Sequence, residues 1–90
     1  MNYNYLTPQE IEKAKKLEAL KQAILRKILT KEAKERLSRV KMVKPALAEE
    51  VELYLVQLYQ AGQLKSVVTE EQIKAILSSV ARNKKFRIIR

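Results

Sequence analysis

The 90-residue chain has no cysteine, histidine, tryptophan or aspartate, and it has a single glycine and two prolines. Without cysteine there is no disulfide and no thiolate zinc site. Without histidine the commonest general base and transition-metal ligand is missing, so a Ser-His-Asp or Cys-His catalytic arrangement cannot be built. One glycine is too few for a glycine-rich phosphate loop or a dinucleotide fingerprint. We therefore expect no metal site, no cofactor and no enzymatic activity.

Long apolar runs are also missing from the sequence. No run approaches the roughly 18 residues that a membrane-spanning helix needs. The first five residues lack the basic and apolar regions of a signal peptide. A mass of 10.5 kDa allows one small domain. We therefore expect a cytoplasmic, single-domain protein that makes no use of a membrane.

The composition that remains is typical of helix, because alanine, leucine, lysine, glutamate and glutamine are abundant. Thr7-Pro8-Gln9-Glu10 is a capping box, and it predicts the start of a first helix that runs to about Leu29. Thr69-Glu70-Glu71-Gln72 is a second capping box, and it predicts a fourth helix ending near Ala81.

Two more helices are expected between these. Thr30 can cap a second helix over about 31–43. The Lys44-Pro45 step ends that helix, because the residue before proline avoids helical geometry, and Pro45 can open a third helix. Gly62 closes the third helix at the position after its C-cap.

Apolar residues at spacings of three and four predict the inner face of each helix. In chain order the inner residues are Leu17, Leu20, Ile24, Ile28, Ala33, Leu37, Val40, Leu47, Val51, Tyr54, Leu58, Ala61, Ile73, Ile76, Leu77 and Val80. The third helix is apolar on several sides and is predicted to be central. The fold class is therefore all-α, a compact three-helix bundle with an additional N-terminal helix and a flexible basic C-terminal tail. The expected parts are residues 1–16 (N-terminal segment and solvated helix extension), 17–81 (helical bundle) and 82–90 (basic tail).

Leu53 and Val56 fall near the polar side of the third helix. Two interpretations stay open for this pair. Either the N-terminal helix covers them, or they form a small patch that binds a protein partner.

The charge of the chain is strongly positive and uneven. Lys and Arg number 19 and glutamates 10, which gives a net charge of +9. Residues 1–44 carry +7, residues 45–81 carry −3 and residues 82–90 carry +5. An anionic partner is therefore expected to meet the first two helices or the C-terminal tail.

Some of these cations have a glutamate one helical turn earlier, as in Glu32–Arg36 and Glu35–Arg39, and the spacing predicts helix-supporting pairs for both arginines. Lys34 and Lys41 have no such partner and share one flank, with Lys44 just beyond. Five cations in the last nine residues resemble an arm that follows a phosphate backbone. The residues predicted to bind nucleic acid are Lys34, Lys41, Lys44, Arg82, Lys84, Lys85, Arg87 and Arg90. Phe86 either stacks on an unpaired base or docks on the bundle.

Several short motifs carry a resemblance over roughly residues 17–90. They are Ala33 to Leu37 (A-x-x-R-L), Val43-Lys44-Pro45, Val51-Glu52 followed by Tyr54-Leu55, Gly62-Gln63-Leu64, and the closing Phe86-Arg87-Ile88-Ile89-Arg90. Together they resemble the programmed cell death protein 5 family, in its archaeal form usually called a DNA-binding protein. The resemblance implies a three-helix core with an additional N-terminal helix and a mobile tail. It also implies a small double-stranded DNA-binding protein.

Two functions follow as expectations. The first is a nucleic-acid-binding protein of low sequence specificity that contacts phosphates, with DNA favoured over RNA and a monomer expected. The alternative is a protein-interaction module that binds a chaperone or another protein partner, since eukaryotic relatives of the family are linked to such partners.

Overall fold

The computed structural model describes the backbone of residues 6–89 and the side chains of residues 6–82. Its four helices are α1 (Pro8–Ile28), α2 (Lys31–Val43), α3 (Pro45–Gln60) and α4 (Glu70–Ile89). The prediction of an all-α bundle with an additional N-terminal helix is confirmed. None of the helices in residues 6–89 combines the length and the apolar character that a membrane-spanning helix needs.

The predicted caps begin the helices as expected. The Thr7 hydroxyl accepts a hydrogen bond from the Glu10 amide at 3.1 Å, and the Glu10 carboxylate accepts one from the Thr7 amide at 2.8 Å. Gln72 and Thr69 exchange the same pair of bonds at the start of α4. The Thr30 hydroxyl accepts from the amide of Ala33 at 3.1 Å and caps α2. Each cap satisfies amides that have no partner within the helix.

The core lies where α3 packs against the other three helices, and α2 also packs against α4. The prediction of a central α3 is confirmed. Leu25, Val51, Leu55 and Ile73 are the largest side chains that are fully buried. The loop before α4 is tied to this core, because the Val68 amide donates to the Ile28 carbonyl at 2.7 Å and the Thr30 amide donates to the Val68 carbonyl at 3.0 Å. This short parallel bridge buries Val68 and fixes where α4 begins.

Four inner positions were predicted wrongly in the first and third helices. Leu17 and Leu20 are exposed, and the buried face of α1 starts at Ile24. No residue from 8 to 20 is buried, so the first half of α1 projects from the bundle. The radius of gyration of 14.9 Å accordingly exceeds the roughly 12 Å expected for a compact chain of this length. Ala61, at the C-cap of α3, is exposed as well.

On α3 the buried face is rotated relative to the prediction. Tyr54 is exposed, and the buried residues are Ala48, Val51, Glu52 and Leu55. In an amphipathic helix, glutamate normally lies on the exposed face. Here Glu52 takes a core position because two lysines from other helices neutralise it.

The C-terminal end also differs from the expectation that the fourth helix ends near Ala81. The α4 helix continues past Ala81 to Ile89. Residues 82–89 contain neither glycine nor proline, and lysine and arginine are good helix formers, so nothing local stops the helix. The side chain of Phe86 and all of Arg90 lie outside the described residues, so the two alternatives for Phe86 stay open.

Gly62 ends α3 in the left-handed region, at φ +71°. Its amide donates to the Tyr59 carbonyl and the Gln63 amide donates to the Leu58 carbonyl, which closes the helix end. A Cβ at this position would meet nothing within 4 Å.

We expect Gly62→Ala to lower the free energy of unfolding by about 1 kcal/mol through backbone strain alone. Gly62→Asn should lower it less, because asparagine tolerates this conformation. Urea unfolding of both variants measures the difference, and equal stability of Gly62→Ala and the natural chain would contradict it.

Candidate nucleic-acid interface

The predicted cations occupy different parts of the surface. Lys34 and Lys41 lie on α2, and Lys44 is the one residue between α2 and α3. Arg82 lies on α4 and is exposed. The helix α4 also includes Lys84, Lys85 and Arg87, for which the structure describes the backbone only. Arg90 lies outside the described range.

Lys41 has a partner inside the protein. Its ammonium lies 3.2 Å from both carboxylate oxygens of Glu52. Glu52 is only 5% exposed. The Lys34 ammonium, seven residues earlier, has no ion pair among the described side chains. The two lysines predicted to share one flank therefore differ, because the ammonium of Lys41 forms an ion pair with Glu52 that joins α2 to α3.

Lys21 completes a cluster that joins three helices. Its ammonium lies 3.1 Å from Glu52, 3.2 Å from Glu18 and 3.3 Å from Glu49. Partial burial by itself lowers the pKa of Lys21, but the hydrogen bonds to Glu52 and Glu18 outweigh burial and raise that pKa above the ordinary value. Hydrogen bonds from Gln22 and then Lys21 lower the pKa of Glu18. Among the described side chains no group of carboxylates forms a metal site.

The raised pKa of Lys21 predicts a pH dependence of stability. The folded chain holds this proton more tightly than the unfolded chain does. The resulting stabilisation is complete below the unfolded pKa of about 10.4 and is lost as pH rises through the folded pKa. The stability difference between the natural chain and Lys21→Met should therefore be larger near about pH 8 than near about pH 11. Denaturant unfolding at both pH values measures it, and a difference independent of pH would contradict this assignment.

Arg36 bridges α2 to α4 instead of pairing along its own helix. Its Nε and Nη2 donate to one oxygen of Glu70 at 3.1 and 2.9 Å. The predicted pairs Glu32–Arg36 and Glu35–Arg39 were wrong, since neither closes within 4.0 Å in the described part of the chain. Tertiary contact with α4 gives Arg36 a better partner. Arg39 is exposed and has no carboxylate partner among the described side chains.

Arg39 and Lys44 stand at the rim of a groove between α2 and α4, which we call the α2–α4 groove. It has a volume of about 420 Å³. Its lining residues are Arg36, Arg39, Val40, Val43, Lys44, Leu47, Leu77, Ser78 and Ala81. Arg82 adjoins the groove, because its Nη1 donates to the Ser78 hydroxyl at 2.9 Å.

Three cations of this surface carry no ion pair with any side chain described: Arg39, Lys44 and Arg82. All three are exposed. The adjacent first turn of α3 has no acidic residue, so no carboxylate there opposes the positive end of its helix dipole. The surface can therefore bind phosphate groups. Arg39 was missed by sequence reasoning, and the available signal was its place five residues before Lys44 in the basic stretch of residues 1–44.

A second groove separates α1 from α3. It has a volume of about 400 Å³, and Leu17, Leu20, Leu53 and Val56 supply much of its apolar lining. Val56 is half-buried and packs against the core, whereas half of Leu53 is exposed. Two interpretations were left open for this pair. The first, that the N-terminal helix covers both residues, holds in part for Val56 and does not hold for Leu53, which stays accessible.

Comparison with known proteins shows which family the chain resembles. The model of a family described as a double-stranded DNA-binding domain matches residues 2–90. A protein of Thermococcus sibiricus named DNA-binding protein is 55% identical over 82 residues, which cover 89% of this chain and 73% of the relative. One of Pyrococcus furiosus with the same designation is 58% identical over 74 residues, 80% of this chain and 66% of the relative. One of Methanopyrus kandleri is 54% identical over 68 residues, 73% of this chain and 58% of the relative.

The fold and the match together define a helical protein of a double-stranded DNA-binding class. The chain belongs to the programmed cell death protein 5 family, in its archaeal branch. It spans from 58% to 73% of the length of the three relatives described above.

Proposed function

We propose that the chain is a small, basic, double-stranded DNA-binding protein that acts as a monomer in the cytoplasm and catalyses no reaction. It holds DNA through phosphate contacts and with low sequence specificity. The observation that carries this proposal is the α2–α4 surface, where Arg39, Lys44 and Arg82 lie together without carboxylate partners among the described side chains. The family membership and the relatives' names support the same ligand.

Low specificity follows from what the helices present. A recognition helix in the major groove usually reads base edges with polar side chains in its first turns. The start of α3 is Pro45-Ala46-Leu47-Ala48, which offers no side-chain donor or acceptor. Its glutamates follow immediately and would repel phosphates. Sequence-independent contacts to the backbone are the interaction that this surface can make.

The test is a salt titration with a fluorescent duplex of about 20 base pairs. If Arg39, Lys44 and Arg82 each meet one phosphate, the slope of log K against log salt is at least as steep as about −2.7, at ~−0.9 per contact. Duplexes of unrelated sequence should bind with similar affinity. A slope near zero, or no binding at low salt, would contradict the proposal.

A chain ending at Ala81 locates the binding further, because it lacks Arg82, Lys84, Lys85, Arg87 and Arg90. Loss of these five cations would reduce the slope by about 4.5 if each one met a phosphate. Binding that survives truncation would assign the remaining contacts to Arg39 and Lys44, with Lys34 and the partly engaged Lys41 as further candidates. An RNA duplex of the same sequence shows whether DNA is preferred.

A second candidate function rests on the α1–α3 groove. Leu17, Leu20 and Leu53 are exposed there, and this groove shares no lining residue with the α2–α4 groove. A protein partner such as a chaperone could bury these side chains. A double variant with Leu17→Ser and Leu53→Ser should then abolish capture of a purified partner and keep DNA binding. The double variant should fold, because both substituted residues are exposed. Undiminished capture would contradict this candidate.

A further inference from the structure

Two adjacent apolar side chains at the end of α2 have no role in the core. Met42 is 85% exposed and Val43 is 76% exposed, more than any other large apolar residue described. Single exposed apolar residues are common on protein surfaces. Two neighbours, each more than three-quarters in water, form a projecting apolar tip, and we call Met42 and Val43 the apolar tip.

The apolar tip is held rigidly. Only Lys44 separates the end of α2 from the start of α3. The Lys44 amide donates to the Val40 carbonyl, and Pro45 fixes the next backbone angle. Both flanking helices are anchored close to the corner, α2 by Leu37 and α3 by Ala48, which are buried. The two side chains therefore project from a preformed corner.

Cations flank the apolar tip on its Val43 side, whereas Met42 is not among the residues that line the α2–α4 groove. Arg39 lies one turn before Val43, Lys44 follows it directly, and all three line the α2–α4 groove. Neither cation has an ion pair with the side chains that the structure describes. An apolar tip of two residues is far smaller than the roughly 800 Å² per partner of a stable protein–protein interface. A small apolar wedge between phosphate-binding cations is the arrangement by which minor-groove proteins unstack a base step.

On the basis of the proposed DNA binding, we propose that Met42 and Val43 insert at a base step from the minor groove and kink the duplex. Arg39 and Lys44 then hold the phosphates on either side of that step. The ligand is thus double-stranded DNA with a deformable step, and preference for flexible pyrimidine–purine steps follows from the energy of deformation instead of from base contacts.

The experiment measures bending and binding separately. A duplex of about 25 base pairs carries a donor and an acceptor dye at its ends and 2-aminopurine at a central TA step. The full natural chain should shorten the end-to-end distance, consistent with a kink of about 20–90°, and raise the 2-aminopurine fluorescence. Met42→Ser with Val43→Ser should lose both signals and weaken binding by roughly tenfold, with the salt slope unchanged. Val67→Ser, at another exposed apolar residue, is the matched control and should keep both signals.

The outcomes separate the two proposals. Salt-dependent binding by the natural chain without bending or unstacking overturns the wedge and leaves the proposed function standing. The wedge is equally overturned if the Met42 and Val43 double variant bends DNA like the natural chain, in which case the apolar tip serves a protein partner. Absence of salt-dependent binding by the natural chain contradicts the proposed function itself. Circular dichroism of the double variant should match that of the natural chain, since both substituted residues are exposed.

Discussion

Replacing Glu52 by glutamine is expected to lower the free energy of unfolding by about 3 kcal/mol, and to lower Tm by about 12–24 °C. Glutamine keeps the size of the side chain and removes its charge. The ammonium of Lys21, which is mostly buried, and that of Lys41 would lose the carboxylate that joins α1, α2 and α3. Charges left without their buried partner carry the full cost of desolvation. Thermal and urea unfolding measure the change.

Glu49→Gln is the matched control for this prediction. Glu49 contacts the same Lys21 ammonium from a half-exposed position, so its loss should change stability by about 1 kcal/mol or less. Combining Glu52→Leu with Lys21→Met and Lys41→Met should recover much of the stability, because a packed apolar cluster replaces a buried ionic one. A loss below about 1 kcal/mol for Glu52→Gln would show that the two lysines reach water without penalty.

The second large effect concerns DNA binding. The triple variant Arg39→Gln, Lys44→Gln and Arg82→Gln is expected to reduce affinity for a duplex by roughly 100-fold or more at about 0.1 M salt, and to make the salt slope shallower by about 2.7. Under the proposed function, each removed cation ends one phosphate contact and the counterion release that goes with it. All three residues are exposed, so the variant should fold normally.

A triple variant on the projecting half of α1 separates local contacts from overall charge. This variant also removes three positive charges, but from exposed positions on α1, by the substitutions Lys13→Gln, Lys15→Gln and Lys16→Gln. This variant should change affinity much less, because it alters only the long-range field. Equal losses in the two variants would mean that net charge, and no particular surface, governs binding. Fluorescence anisotropy across several salt concentrations distinguishes these results.

The start and end of most helices could be predicted from the sequence, because these signals are local. Thr7, Thr30 and Thr69 each place a hydroxyl within reach of an amide three residues later, whatever the rest of the chain does. Gly62 is similar, since a left-handed residue ends a helix by backbone geometry alone. The central position of α3 was readable too, from apolar residues on several of its sides.

The inner face of each helix was less predictable, because burial depends on what stands opposite. Leu17 and Leu20 continue the stripe of α1, yet α3 does not bury them, and they stay exposed. No prediction placed Glu52 in the core, because nothing along α3 indicates that Lys21 and Lys41 meet it. For the same reason Arg36 was predicted to pair with Glu32, whereas its Nη2 lies 2.9 Å from the carboxylate of Glu70 on α4.

The sequence by itself determined that this chain is a small, basic, helical protein without the residues for metal or histidine chemistry, and its motifs identified the family. The candidate interface was decided only by tertiary structure. Ion pairs between helices engage Arg36 and Lys41, and packing of α4 against α2 brings Arg39, Lys44 and Arg82 onto one surface. Charge and helix signals are encoded within a few consecutive residues. Which cations remain available to a phosphate depends on partners about 11 to 34 residues away, and only folding brings those partners together.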